Sequence, residues 1–151
     1  MARQASLQTS ECPVARALEA IGERWSLLII RDAFDGICRF NEFQKSLGLA
    51  KNILAARLKL LVEVGVLEVR PASDGSAYRE YALTERGRGV FPIVVSMRQW
   101  GERHLFQPGD TYSVLLDNEH AKPVAPLEVR SSTGDILEAQ ACHRRRVIKA
   151  S

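Results

Sequence analysis

Apolar residues recur along this chain at two periods, and the change from one to the other divides it into elements. From Arg39 to Val66, RFNEFQKSLGLAKNILAARLKLLVEVGV, the residues Phe40, Phe43 and Leu47 fall three and four apart, and Leu54, Leu58, Leu61 and Gly65 do the same. That spacing predicts two helices, each with one apolar stripe and one polar face. Gly48-Leu-Ala50 reads as the turn between them, with Leu49 directed back into the core. On the second helix Leu54, Leu58 and Leu61 gather on one side, while Asn52, Ala55, Ala56, Lys59 and Glu63 lie largely opposite.

The flanks extend the pattern. Pro13 suits the first position of a helix, and Val14, Leu18 and Ile21 then repeat at helical spacing. Leu27, Leu28, Ile29, Ile30 and Phe34 are too continuous for a surface helix, so a buried second helix is expected, closed by Asp35-Gly36. Trp25 at its start is either a core anchor or the wall of a cleft. Downstream the period shortens: Leu67 to Arg70 and Tyr78 to Leu83 are β-prone runs joined by a loop containing Pro71 and Asp74-Gly75. A hairpin directly after two such helices is a wing. Thr84 is expected to cap a long helix through Val90, Val94, Met97, Trp100 and His104, bent at Pro92. Its apolar girth, with Ile93 added, exceeds what one small domain covers, so this segment is expected to pair with a second copy, assisted by Val14 and Leu18.

Gln107-Pro-Gly-Asp110 breaks that helix. Short strands are expected at Tyr112 to Leu116, Leu127 to Ser131 and Ile136 to Ala139, with Ser132 to Asp135 as a hairpin turn. The organisation is therefore a flexible arm at residues 1–11, one domain over 12–106, and a small β-rich extension with a basic tail over 107–151. The fold class is mostly α with a β wing.

Composition narrows the function less than pattern does. A chain of 151 residues, 46% hydrophobic and 26% charged, is globular rather than disordered, and at this length it buries about 68 to 70% of its unfolded surface. No run of about 18 apolar residues and no leader pattern is present, so a cytoplasmic location off the membrane is expected. The net charge of +3 permits nucleic-acid binding without demanding it. Over Arg39 to Thr84 seven Lys or Arg stand against five Asp or Glu, so a DNA-attracting field must come from clustering on one face. Cys12, Cys38 and Cys142 are odd in number and widely spaced, which fits free thiols better than a disulfide framework. With only His120, Cys142 and His143 in the extension and no CxxC pair, no metal is expected. No catalytic motif and no cofactor fingerprint is found.

The second helix of the central pair carries candidate chemistry. Small side chains on an outward face let a helix backbone approach the DNA major groove, where a few donors reach base edges. The alternative is the solvated face of an ordinary bundle. Lys51, Asn52, Ala55, Ala56 and Lys59 are the candidate base-facing or groove-wall positions. Arg39, Asn41 and Lys45 are candidate phosphate contacts from the preceding helix, and Arg70 and Arg79 of the hairpin either reach the minor groove or backbone or are simply solvated. Ala50 stands where a Ser or Thr would cap the helix, a loss of about 0.5 to 2 kcal/mol. Packing, or a DNA phosphate on the free N–H groups, must make up for it.

Cys12-Pro13, Gly22-Glu-Arg-Trp25, Arg39-Phe-Asn-Glu-Phe43, Leu54-Ala-Ala-Arg-Leu58, Gly65-Val-Leu67, Tyr81-Ala-Leu-Thr-Glu-Arg-Gly87 and Trp100-Gly101 resemble, in order, the signatures of the HxlR-type winged helix-turn-helix regulators. The resemblance runs from about Cys12 to Leu105. It implies a homodimeric transcription regulator on a pseudo-palindromic operator, often responsive to electrophiles, oxidants or small metabolites. It also implies that Arg57 bridges helix and phosphate, although a salt bridge to a neighbouring carboxylate is the equal alternative. Cys12 is a candidate redox or electrophile sensor, since some members carry a sensing cysteine there and a helix start favours a thiolate; otherwise it is a helix-start residue without chemistry. A thiol-switch or small-molecule sensor whose DNA binding is secondary, and a noncatalytic interaction module, remain the competing readings.

Overall fold

The computed structural model describes residues 6–146, which group into two compact units, one ending at Val94 and the other beginning at Val95. Residues 1–5 of the expected arm and 147–151 of the expected tail lie outside the described residues.

In the first unit Pro13 opens α1 (Pro13–Ile21) at the position where its missing N–H leaves no bond unmade. Gly22 then leads at once into α2 (Arg24–Phe34), and a Cβ at Gly22 would lie 2.5 Å from the Leu18 carbonyl oxygen, so no larger residue fits this junction. Glu23 caps α2: its carboxylate accepts the amides of Trp25 at 2.9 Å and Ser26 at 3.0 Å. The two predicted central helices form as α3 (Phe40–Leu47) and α4 (Lys51–Glu63). Ile29 and Ile30 of α2, Phe43 of α3, and Leu54, Leu58 and Leu61 of α4 are fully buried together. Each such side chain contributes roughly 1.5 to 3 kcal/mol by leaving water. Leu49 is buried in the same core and Trp25 packs against its edge.

Val66 leads into β1 (Leu67–Pro71), which pairs antiparallel with β2 (Arg79–Leu83) in a register running from Leu67 opposite Leu83 to Pro71 opposite Arg79. Asp74 accepts the Ser76 amide at 3.0 Å, and Gly75 takes the left-handed conformation that the turn requires. The Tyr81 amide donates to the Cys38 carbonyl at 2.7 Å, so the wing is anchored to the start of α3.

After the wing the chain departs from the expectation of one long helix bent at Pro92. Thr84 does cap a helix, accepting the Gly87 amide at 3.0 Å, but α5 (Glu85–Arg88) is only one turn long. A new helix, α6 (Phe91–His104), begins after Val90, whose carbonyl accepts the amides of Ile93 at 2.9 Å and Val94 at 3.1 Å. Pro92 therefore sits in a first turn, where it costs no hydrogen bond and needs no kink.

The second unit contains α6 from Val95 onward and the extension. The three strands expected there do not form as strands. The described residues show two isolated bridges, Leu116 with Pro123 and Arg130 with Ile136, and a 3₁₀ turn at Ala139–Ala141. The expected hairpin turn is present, with the Ser131 amide donating to the Asp135 carbonyl at 2.8 Å. Side chains of α6 take backbone bonds that a ladder would have used. Arg98 donates to the Ser113 carbonyl at 2.6 Å, and the Gln99 amide group donates to the Ala125 carbonyl at 3.0 Å while accepting from the Leu127 amide at 2.8 Å. Pro123 and Pro126 have no N–H to offer a neighbouring strand.

Candidate nucleic-acid interface

The helix-turn-helix is built by α3, the turn at Gly48-Leu-Ala50, and α4. Gly48 ends α3 in the left-handed conformation, its amide returning to the Gln44 carbonyl at 2.8 Å. The Gln44 side chain then donates to the Leu49 carbonyl at 3.2 Å and so secures the turn. Ala50 is the N-cap of α4 and makes no side-chain cap. Because Leu54, Leu58 and Leu61 are anchored in the core, the other side of α4 faces solvent: Lys51, Asn52, Ala55, Ala56 and Lys59 are all exposed. Ile53, which apolarity alone would assign to the core, is 42% exposed at the edge of the same face.

The surrounding cations divide into exposed and engaged groups. Asn41 and Lys45 are exposed on α3, and Arg79 is exposed on the wing. Lys59 lies 4.0 Å from Glu63 one turn on, a separation at which an exposed pair contributes little. Arg70 pairs with Glu68 on its own strand. Arg57 is half-buried with Nε 3.6 Å from Glu23, the carboxylate that caps α2, which is the salt-bridge alternative weighed for it.

Arg39 has a different setting from the other candidates. Its Nη2 donates to Asp74 at 2.6 Å and to Glu80 at 3.2 Å, and its guanidinium lies 5.4 Å from the Tyr78 ring centre. The Arg39 hydrogen bond holds the Asp74 carboxyl well below the usual carboxylate range, and the two acids in turn keep the guanidinium firmly protonated. Glu42 completes the cluster: the amides of Arg39 and Cys38 donate to it at 3.0 and 3.2 Å and lower its pKa. Burial pushes the Cys38 thiol upward, reinforced by Glu80 and Glu42. Sequence reasoning missed Asp74, Tyr78, Glu80 and Glu23 as functional neighbours. Their charges are visible in the sequence, but their partners are distant along it.

Cys12 is half-buried at the N-cap of α1, its amide donating to Ser10 Oγ at 3.2 Å. Cys142 is exposed. Among the described residues no group of His, Cys, Asp and Glu has the arrangement of a metal site. Of the residues expected at an interface between copies, Val14 (66%), Leu18 (56%), Met97 (53%) and Trp100 (59%) are well exposed, as are Ile93 and His104. The rings of Trp100 and His104 lie 5.3 Å apart along α6, tilted by 45°. Val90 is buried and Val94 half-buried in this chain's own core.

Comparison with known proteins agrees with this geometry. The model of the HxlR-like helix-turn-helix family matches residues 20–108. The uncharacterised HTH-type transcriptional regulator Mb3122 of Mycobacterium bovis is 46% identical over 113 residues, covering 73% of this chain and 72% of that protein. The crystal structure of PA1607, a candidate transcription factor, superposes with a TM-score of 0.90 at 50% identity, covering 95% of this chain and all of the other. The redox regulator HypR in its reduced form superposes with a TM-score of 0.58 at 33% identity over 62% of this chain and 94% of its own. An outward-facing α4 beside an anchored wing, matched over this span by these relatives, makes the chain a DNA-binding winged helix-turn-helix transcription regulator belonging to the HxlR-like family.

Proposed function

We propose that the protein binds a pseudo-palindromic operator as a homodimer, with α4 of each copy in a major groove. The observation that carries this reading is the division of α4 between a buried leucine side and an exposed face of Lys51, Asn52, Ala55, Ala56 and Lys59. Small residues allow close approach, Asn52 offers a bidentate amide to a base, and the lysines meet phosphate. Exposed Ile53 suits contact with a thymine methyl group. The uncapped amides at the start of α4 are a natural phosphate seat. Asn41 and Lys45 serve the backbone from α3, and Arg70 and Arg79 serve it from the wing. Arg57 acts indirectly, by holding α4 to Glu23.

Dimerisation is supported by the exposed apolar residues Ile93, Met97 and Trp100, which recur with His104 at helical spacing on α6, and by Val14 and Leu18 on α1. A dimer with twofold symmetry sets the half-sites about 10 bp apart or a multiple of that. No helix among the described residues is long and apolar enough to cross a membrane, and the proposed site of action is the cytoplasm, with the chromosome.

Gel-shift titration against the duplex upstream of its own coding region checks the operator. The expected result is a clear preference over random duplex at physiological salt, and equal binding to both contradicts it.

A second layer, gating by thiol chemistry, is favoured by the similarity to the redox regulator HypR and by the position of Cys12 at the start of α1. Oxidant or quinone treatment is expected to alter duplex binding of the wild type and to leave Cys12→Ser unaffected. An identical response from both removes Cys12 as the switch. A small-molecule effector in the dimer cleft is the remaining route to gating, and an unchanged quinone response in Cys12→Ser directs attention there.

A further inference from the structure

We propose that Arg39 is a wing-positioning residue that acts through Asp74 and Glu80 rather than by contacting DNA phosphate itself. The inference rests on the DNA-binding reading above for its consequence, and on contacts within one chain for its cause. Arg39 is the N-cap residue of α3, so its backbone is fixed by the helix start, where Glu42 accepts its amide at 3.0 Å. From there the guanidinium fork spans two parts of the hairpin. Nη2 reaches Asp74 in the loop at 2.6 Å, while Nη2 and Nε reach Glu80 on β2 at 3.2 and 3.4 Å.

Both acids are themselves wired into the loop. Asp74 uses its other oxygen to accept the Ser76 amide at 3.0 Å, and Glu80 also accepts the Ser73 hydroxyl at 3.2 Å. The guanidinium also lies over the ring of Tyr78, 5.4 Å from its centre, at the residue that leads into β2. The bond from Tyr81 to the Cys38 carbonyl ties the middle of β2 to the segment just before α3, and Arg39 ties down the loop end of the hairpin. A planar fork with several donors does this, and a lysine ammonium cannot reproduce it.

The charge balance explains why the clamp matters to a DNA-binding protein. Arg39 lines a cleft of about 500 Å³ with Asn41, Tyr78 and Arg79, the region where a duplex backbone is proposed to pass. Asp74 and Glu80 stand beside it. Paired with Arg39, one of the two negative charges is offset; without it both act to repel phosphate next to the wing's exposed Arg79.

Hydrogen exchange on the free full-length protein, followed by duplex titration of the same variants, tests this. In Arg39→Ala, Arg39→Lys and Asp74→Asn the amides of Ala72, Gly75 and Ser76 are expected to exchange about threefold to tenfold faster than in the wild type, the scale of a lost charge-assisted pair near the surface. Duplex affinity is expected to fall by a similar factor in Arg39→Lys and Arg39→Ala alike. Unchanged wing exchange in both Arg39 variants overturns the proposal, as does an Arg39→Lys protein that keeps wild-type affinity while Arg39→Ala loses it, the signature of a point charge on phosphate. Lys51→Ala separates the two readings, since it is expected to weaken duplex binding without altering wing exchange. A wild type that binds no duplex contradicts the DNA-binding reading, and the exchange rates alone then decide the clamp.

Discussion

Ala50 is the N-cap of α4 and has no side-chain acceptor to offer the first-turn amides. Ala50→Ser is expected to supply an acceptor for the first-turn amides and to raise stability by about 0.5 to 2 kcal/mol, read by thermal unfolding. An unchanged melting temperature contradicts the uncapped description. The residue scale is also where the sequence was least informative. The absence of a cap at Ala50 was legible because it depends on one position. The engagement of Arg39 was not, because Asp74 and Glu80 lie 35 and 41 positions away and meet it only after the hairpin closes. Arg57 was legible as a choice between two partners, and Glu23 takes it because the carboxylate is already placed there as the cap of α2. The cysteines also separate at this scale. Burial and two neighbouring acids push the Cys38 thiol upward and so disfavour its thiolate, whereas Cys12 stands at a helix start.

At the scale of elements, helices with a clean stripe were legible, and elements whose hydrogen bonds depend on another element were not. Leu54, Leu58 and Leu61 predicted the buried side of α4, and Asp74-Gly75 predicted the wing loop, since periodicity and turn chemistry act locally. The extension failed as strands because Arg98 and Gln99 supply its backbone partners from a helix, which no local pattern signals. Pro92 misled for a related reason. Read within a continuous apolar run, it implied a kink, yet Val90 enters the core and the chain restarts its helix there. Pro92→Ala is accordingly expected to change stability by less than about 1 kcal/mol in urea unfolding, against about 3 kcal/mol of stabilisation if the proline interrupted a helix interior.

On the scale of the whole molecule, the family match ends at residue 108, while the superposition with PA1607 covers 95% of the chain and so includes most of the extension. HypR, matched over 62% of this chain and 94% of its own, has no counterpart to much of that segment. The extension therefore marks a longer form of the fold, in which the Val95, Arg98 and Gln99 side of α6 is occupied within the chain. Met97 and Trp100 remain exposed, and on the proposed reading a second copy covers them and brings a second α4 to the same duplex. The most direct measurement is an anisotropy titration of the full chain on its upstream duplex at low and physiological salt, with Lys59→Glu and a scrambled duplex in parallel. The account predicts two chains per duplex, affinity that falls as salt rises, binding at least about 10³ tighter than to the scrambled duplex, and a marked loss in Lys59→Glu. One chain per duplex, no preference for the upstream sequence, or wild-type binding by Lys59→Glu contradicts it.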